Sequence, residues 1–273
     1  MKGRVLIVAG SDSGGGAGIQ ADIKTVTMLD AFAATAITAL TAQNTEGVYD
    51  VLPIDPAFIR QQMEMVLDDI GADAVKTGML HDDGVIDTVA AVLEAKAPAI
   101  PLVLDPVMVA KGGAPLIQAG AIDALKRRLV PRAAVLTPNL PEAEILAGGA
   151  IADIAAMREA ARALLALGCR AVLLKGGHLP GDTVRDVLAT TAGLKEWTNQ
   201  RIDSRHTHGT GCTLASAVAA GLAQGMPVEA AVERARNYVQ GAIAAAPGLG
   251  RGHGPLNHAH VLHDPLAGRQ TSR

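Results

Sequence analysis

The feature that most constrains this chain is a repeated handover. A short, continuous apolar run gives way to a polar or glycine-rich turn, and a longer stretch with helical spacing follows. Val5 to Ala9, Ala74-Val75, Leu102 to Leu104, Ala134 to Leu136 and Ala171 to Leu174 are the apolar runs. Helical spacing marks residues 19–29, 56–70, 85–95, 121–129 and 154–167, with Pro56 suited to a first helical turn. Runs this short and this apolar belong to buried strands of a mostly parallel sheet, covered by helices on both faces. Ala33 to Ala42 reads as a further strand. Late in the chain the rhythm changes: residues 183–188 and 196–202 alternate polar with apolar and predict an antiparallel edge. Two closing helices follow, at 210–223 and 228–246. From Pro247 the chain is rich in Gly, His and Pro, which predicts a tail that is loosely packed after about residue 255, with its last six residues mobile. No repeat or linker divides residues 1–273, so one α/β domain is expected.

Composition removes several classes of function. Of 273 residues, 49% are hydrophobic, enough for a sizeable core, and the formal net charge is −3. That charge leaves no electrostatic footprint for nucleic acid, and 2% aromatics cannot build a base-stacking platform. Cys169 and Cys212 stand far apart, so a disulfide framework is not supported and a reducing cytoplasmic setting is expected. The N-terminus lacks the apolar region of a signal peptide. The least polar stretch, Leu214 to Ala223, is too short to span a bilayer, so no membrane association is expected.

The polar residues fall where a parallel sheet binds ligands. Gly10-Ser11-Asp12, Lys76-Thr77-Gly78, Asp105-Pro106, Asn139 and Lys175-Gly176-Gly177 each follow an apolar run. Ligands of such sheets lie at the carboxyl ends of the strands. Gly10 to Gly18 reads GSDSGGGAG ahead of a helix. Its amides suit a phosphate, and equally it reads as a flexible turn; it matches neither a P-loop nor GxGxxG. Thr207-His208-Gly209-Thr210-Gly211-Cys212-Thr213 says more. Two glycines among small polar residues, at a helix start, let successive amides converge on an anion and stabilise a phosphoryl group in transfer. Cys212 sits where a helix start lowers a thiol pKa and favours a thiolate able to accept a hydroxyl proton; a buried structural cysteine is the alternative.

Asp105 and Glu142 are candidate Mg²⁺ partners, since Mg²⁺ in phosphoryl-transfer sites takes one or two carboxylates plus phosphates. An Asx turn before Pro106 and a helix-dipole charge are their plainer readings. Lys175 is placed to face ATP phosphates, or is an ordinary exposed lysine. Asp22, Lys24 and Gln43 are polar among apolar neighbours, and the Gln43 amide is able to pair with a ring nitrogen and its adjacent amino group. Cys169 and the late histidines His253, His258, His260 and His263 read as structural or surface residues.

Seven stretches together resemble a known family: AGSDSGGGAGIQADIKT (Ala9 to Thr25), TALTAQNT (Thr38 to Thr45), KTGML (Lys76 to Leu80), DPVMVAKGG (Asp105 to Gly113), TPNLPEAE (Thr137 to Glu144), LLKGGH (Leu173 to His178) and HTHGTGCT (His206 to Thr213). In order and register they resemble the hydroxymethylpyrimidine/phosphomethylpyrimidine kinases of the ribokinase-like superfamily. The resemblance implies a three-layer α/β/α fold with a central, mainly parallel sheet, ATP and Mg²⁺ as cosubstrates, and two phosphorylations of a small-molecule pyrimidine in thiamine biosynthesis. It moves Gly10 to Gly18 from the phosphates to the pyrimidine. It implies that Gln43 reads the pyrimidine edge near Gly10 and Asp22, and that Met79 and Val107 pack on the ring. Asn139 and Glu142 would stand beside Mg²⁺, with Asp105, while Lys175, Gly177, Thr207 and His208 would line the nucleotide. Gly209, Thr210, Gly211 and Cys212 would form the anion hole, with Cys212 as base. Ser13 departs from the family's proline, and Arg236 from a lysine facing the nucleotide, where Arg keeps the charge but not the geometry. A homodimer is expected. Pyridoxal kinase on the same fold, and a non-catalytic vitamin-binding module, are the alternatives.

Overall fold

The computed structural model describes residues 1–109, 116–118 and 120–263. Ala110 to Gly113 of the DPVMVAKGG stretch and the last six residues lie outside them. Nine strands form one sheet: β1 (Arg4–Asp12), β2 (Phe32–Gln43), β3 (Val48–Pro53), β4 (Ala74–Thr77), β5 (Leu102–Leu104), β6 (Ala133–Leu136), β7 (Ala171–Leu174), β8 (Thr183–Thr190) and β9 (Gly193–Gln200). Their spatial order is β3-β2-β1-β4-β5-β6-β7-β8-β9. The run from β2 to β7 is parallel, and β3, β8 and β9 add antiparallel edges.

Among the described residues eight α-helices flank the sheet: α1 (Gly18–Met28), α2 (Pro56–Asp69), α3 (Asp83–Lys96), α4 (Ala121–Ala124, continued by a π-helical turn Leu125–Leu129), α5 (Leu140–Ala147), α6 (Ile154–Leu165), and, after the last strand, α7 (Thr210–Ala223) and α8 (Val228–Ala244). Strand β1 shows why the sheet needs two helical layers. Leu6 and Val8 face a core shared with α2, α3, α5 and α6, while Val5, Ile7 and Ala9 face one shared with α1, α7 and α8. All five are fully buried or nearly so, because a central parallel strand has no solvent face. The expected three-layer α/β/α arrangement is therefore the one observed. Among the described residues no helix is long and apolar enough to cross a membrane.

Two elements escape the sequence pattern. Strand β3 pairs antiparallel with the end of β2, Leu40 opposite Leu52, and is largely exposed; it lacks the apolar run of a buried strand. Helix α5 has only eight residues and starts on a capping box, Asn139 with Glu142.

The tail also differs from expectation. From Pro247 to His263, the described part, it is not loose: His253 N donates to Thr45 O (2.8 Å), His208 N to Gly254 O (3.1 Å) and Asn257 N to Ala242 O (3.0 Å). Leu256 and His258 are buried. The glycines allow this, since a Cβ on Gly250, Gly252 or Gly254 would collide with Thr45 or His206. His258 is thus no surface residue. Its Nε2 lies 3.0 Å from Thr213 Oγ1, and its carbonyl accepts from Tyr238 Oη at 2.6 Å.

Burial, aided by Lys24 and His260, lowers the His258 pKa to about 4, against about 6.5 in an unfolded chain. The unfolded state binds the extra proton first as pH falls, so the contribution is complete above about 6.5 and is lost on the way down to about 4. Up to about 3 kcal/mol of stability should disappear across that window. Urea unfolding at successive pH values checks this: His258→Asn should flatten the slope between those limits.

Candidate active site

The carboxyl ends of β1, β4, β5, β6 and β7 open into one cleft of about 540 Å³. Every site residue expected from the sequence lines it except Asp22. The sheet therefore assembles what the chain keeps up to 202 positions apart, from Gly10 to Cys212.

At one end lies the first glycine loop. Gly10 lies against Met79: a Cβ there would sit 2.6 Å from Met79 Cε, and the methionine's flexible end would have to shift. Ser13, the departure from proline, anchors the neighbouring strand. Its Oγ donates to Gln43 O (2.7 Å) and accepts from Gln43 N (2.9 Å), which fixes Gln43 at the end of β2. Asp12 organises the loop. Its carboxylate accepts from the amides of Gly14 (2.7 Å), Gly16 (3.0 Å) and Ala17 (2.7 Å), and lies 2.9 Å from His208 Nε2. Burial works to raise the Asp12 pKa, but bonds from His208, Gln43 and Ala17 prevail and hold it down at about 2.

Asp22 is a correction. It has no exposed surface, does not line the cleft and cannot touch a substrate. Its Oδ2 accepts from Lys76 Nζ at 2.8 Å and its Oδ1 from Ser216 Oγ at 2.6 Å. The pair joins α1, β4 and α7 beneath the site. Burial disfavours the Lys76 ammonium, yet Asp22, Cys212 and Asp105 outweigh it and raise the Lys76 pKa. The lysine therefore stays charged.

The second glycine turn caps α7. Gly209 adopts φ +83°, and a Cβ on it would collide with the Gly16 carbonyl, so only glycine fits. Thr210 Oγ1 donates to Thr207 O at 2.8 Å. The first intrahelical bond runs from Thr213 N to Gly209 O, so the Gly211 and Cys212 amides precede it and belong to the donors a helix start leaves over. Gly211 lies over the Lys175–Asp105 pair, with Lys175 Nζ 3.3 Å and Asp105 Oδ2 3.6 Å from where its Cβ would stand. His208 lines the cleft and turns its ring to Asp12. For Cys212 the expected lowering does not hold. Burial dominates and pushes the thiol up to about 12, although Lys76 and the Gly18 amide pull it down.

Beside this turn, Asp105 Oδ1 accepts from Lys175 Nζ (3.1 Å) and Thr137 Oγ1 (3.0 Å). Glu142 is nearly buried in its capping box. Burial raises its pKa to about 7; Lys175 opposes the rise and Asp105 adds to it. Two carboxylates sharing a buried corner with one lysine are underneutralised, which fits a hard cation whose remaining ligands are phosphates and water. Among the described residues no group of three or more His, Cys, Asp or Glu is placed to hold a metal ion by itself.

Arg236 does not face the cleft. Its Nε donates to Asp186 Oδ2 (2.7 Å), whose other oxygen accepts from Gly176 N (2.9 Å). It holds the Lys175-Gly176-Gly177 turn from behind. Sequence reasoning set Asp12 and Lys76 among the strand-end turns of the site without giving either a role, and assigned none to Thr137 or Asp186. Only the first two carried a signal, an acid inside a glycine run and a lysine straight after an apolar run.

The model of the family described as "Phosphomethylpyrimidine kinase" matches residues 12–257. The chain belongs to the phosphomethylpyrimidine kinase family. It is 54% identical over 264 residues to the thiamine biosynthesis bifunctional protein ThiED of Geobacter sulfurreducens, covering 96% of this chain and 54% of that one. It thus spans about half of that bifunctional relative. It is 49% identical to the hydroxymethylpyrimidine/phosphomethylpyrimidine kinase of Streptomyces coelicolor, covering 94% and 95% of the two chains. Among solved structures it is similar to an ADP complex of Bacillus subtilis pyridoxal kinase, with a TM-score of 0.89, 36% identity, and coverage of 97% and 100%. The fold is that of the ribokinase-like kinases.

Asp22→Asn would leave the Lys76 ammonium buried without its carboxylate. Such a break costs about 3–5 kcal/mol, and the midpoint of urea unfolding should fall accordingly with the slope unchanged.

Proposed function

We propose that the cleft transfers the γ-phosphoryl group of ATP to the hydroxymethyl oxygen of 4-amino-5-hydroxymethyl-2-methylpyrimidine, and then a second one to the monophosphate, within thiamine biosynthesis. The observation that carries this reading is the order of parts along one cleft. Gly10, Gln43, Met79, Val107, the Gly209–Cys212 turn, Lys175, Asp105 and Glu142 all line the cleft: Gly10 lies against Met79, Gly209 meets Gly16 of the first glycine loop, and Gly211 lies over Lys175 and Asp105. In-line phosphoryl transfer needs an acceptor, a stabilised phosphoryl and a neutralised leaving group in that sequence. Whole-length similarity to the Streptomyces kinase supports the same reading.

In this reading Gln43 pairs with the aminopyrimidine edge, and Met79 and Val107 cover the ring. Lys175, Gly177 and Asn139 orient the nucleotide phosphates, with Thr207 at the edge of the turn. The Gly211 and Cys212 amides hold the transferring group at the positive end of α7. Asp105 and Glu142 would hold Mg²⁺, which when bound supplies charge neutralisation to the phosphates. Cys212 receives the hydroxyl proton in its thiolate form, which at a thiol pKa of about 12 is a minor fraction at neutral pH, so the proton moves late, as the oxygen–phosphorus bond forms. The enzyme acts in the cytoplasm as a homodimer without nucleic-acid or membrane partners. Tyr49, Leu52 and Phe58, apolar and more than half exposed around β3 and α2, support a subunit interface.

Pyridoxal phosphorylation is the second reading, favoured by the likeness to the Bacillus pyridoxal kinase. An ATP-consumption assay with hydroxymethylpyrimidine, its monophosphate and pyridoxal in parallel separates the two. The pyrimidine should have the higher kcat/KM, and the reverse order would overturn the first reading. Cys212→Ala should lower kcat on the alcohol by roughly 100-fold or more with little change in KM, and hurt the monophosphate step less, because that acceptor is already ionised. The pH profile of kcat/KM on the alcohol should show no Cys212-dependent inflection between about pH 6 and 9, since a thiol of pKa about 12 does not titrate there.

A further inference from the structure

The two glycine loops do more than face one another across the cleft. They touch, and the contact is built from residues to which the phosphoryl-transfer reading gives no role. Asp12 belongs to the acceptor loop and His208 to the phosphoryl turn, 196 positions later, yet His208 Nε2 and Asp12 Oδ2 stand 2.9 Å apart. The Asp12 side chain is almost wholly buried, and that of His208 is 18% exposed. Around them the backbones meet where neither loop has room for a side chain. A Cβ on Gly209 would strike the Gly16 carbonyl, and one on Gly16 would strike the His208 ring. The third side is closed by the tail, where His208 N donates to Gly254 O at 3.1 Å. His208 is therefore held by its backbone and aimed by its ring.

We propose that Asp12 and His208 form a positioning pair that sets the distance between the acceptor oxygen and the phosphoryl turn. Asp12 binds three amides of the loop that carries Gly10, and His208 directly precedes Gly209, where the phosphoryl turn begins. One hydrogen bond thus ties the acceptor's support to the phosphoryl group's support. A displacement of about 1 Å between reacting atoms costs about 100-fold in rate, so a clasp of this kind acts on kcat while leaving the nucleotide's own contacts intact. Neither residue touches the reacting atoms in this scheme; both act through the loops they hold. The inference rests on the assignment of the Gly209–Cys212 turn to the phosphoryl group.

The test is a kinetic double-mutant cycle with Asp12→Asn, His208→Leu and the double variant, plus His208→Gln, which keeps a donor of similar reach. Unfolding midpoints are followed in parallel. His208→Leu should lower kcat on the pyrimidine alcohol by roughly 10- to 100-fold with the KM for ATP within about twofold, and His208→Gln should recover a large part of that loss. The double variant should be no slower than the worse single one, because both remove one interaction. Multiplying kcat losses, no recovery in His208→Gln, or losses that simply follow the unfolding midpoint would overturn the clasp. Gly211→Pro, which removes one donor amide in the first turn of α7, separates the two claims when run alongside: full activity there would overturn the assignment of the turn, and the cycle's additivity decides the clasp.

Discussion

A lysine with no exposed surface lies under this cleft, and most of the architecture is arranged around keeping it there. Lys76 leaves β4 at the point where a parallel strand would deliver a ligand-binding residue, but its ammonium turns inward to Asp22 of α1, with Ser216 of α7 on the other carboxylate oxygen. A buried pair of this kind adds little net stability compared with apolar packing. What it does is specify. Three elements from distant parts of the chain must meet at one point, or a charge is left in a dry interior. Because α7 is one of the three, the start of that helix, and with it the phosphoryl turn, is fixed relative to the strand ends. Burial raises the Cys212 thiol pKa, and the same placement brings Lys76 close enough to pull it down, against Asp22 and Asp105, which raise it.

Much of the framework was legible because buried parallel strands and the turns after them have a strong pattern. The apolar runs at Val5, Leu102, Ala134 and Ala171 each became a strand, and the helix expected at 210–223 is α7 to the residue. Strand β3 was not legible. It is an edge strand with one partner, its apolar residues are largely exposed, and nothing local distinguishes it from a loop. The tail misled for a related reason. Glycine and histidine content reads as looseness, but here glycine is what lets the backbone approach Thr45 and His206 closely, and His258 fills an interior position.

The site shows where sequence reasoning stops. Polar residues after strand runs marked the cleft well, since strand ends converge by topology. Which way each side chain turns was not encoded locally. Asp22 and Arg236 both point away from the cleft, toward a lysine and an aspartate that lie 54 and 50 positions distant. His208 turns to Asp12. The Cys212 pKa depended on a competition between the helix start, which favours a thiolate, and desolvation, which opposes it. Only the folded environment decides that contest, and burial wins.

The segment from Gly250 to His258 has a further consequence, for biogenesis. It packs behind the two glycine loops, meeting Thr45, His208 and Thr213. A chain emerging from the ribosome can lay down its sheet early, but the cleft has no finished acceptor end until residue 258 has cleared the exit tunnel. Competence for turnover therefore waits on residue 258, and a nascent chain that stalls a little short of that point would be nearly folded and still inert.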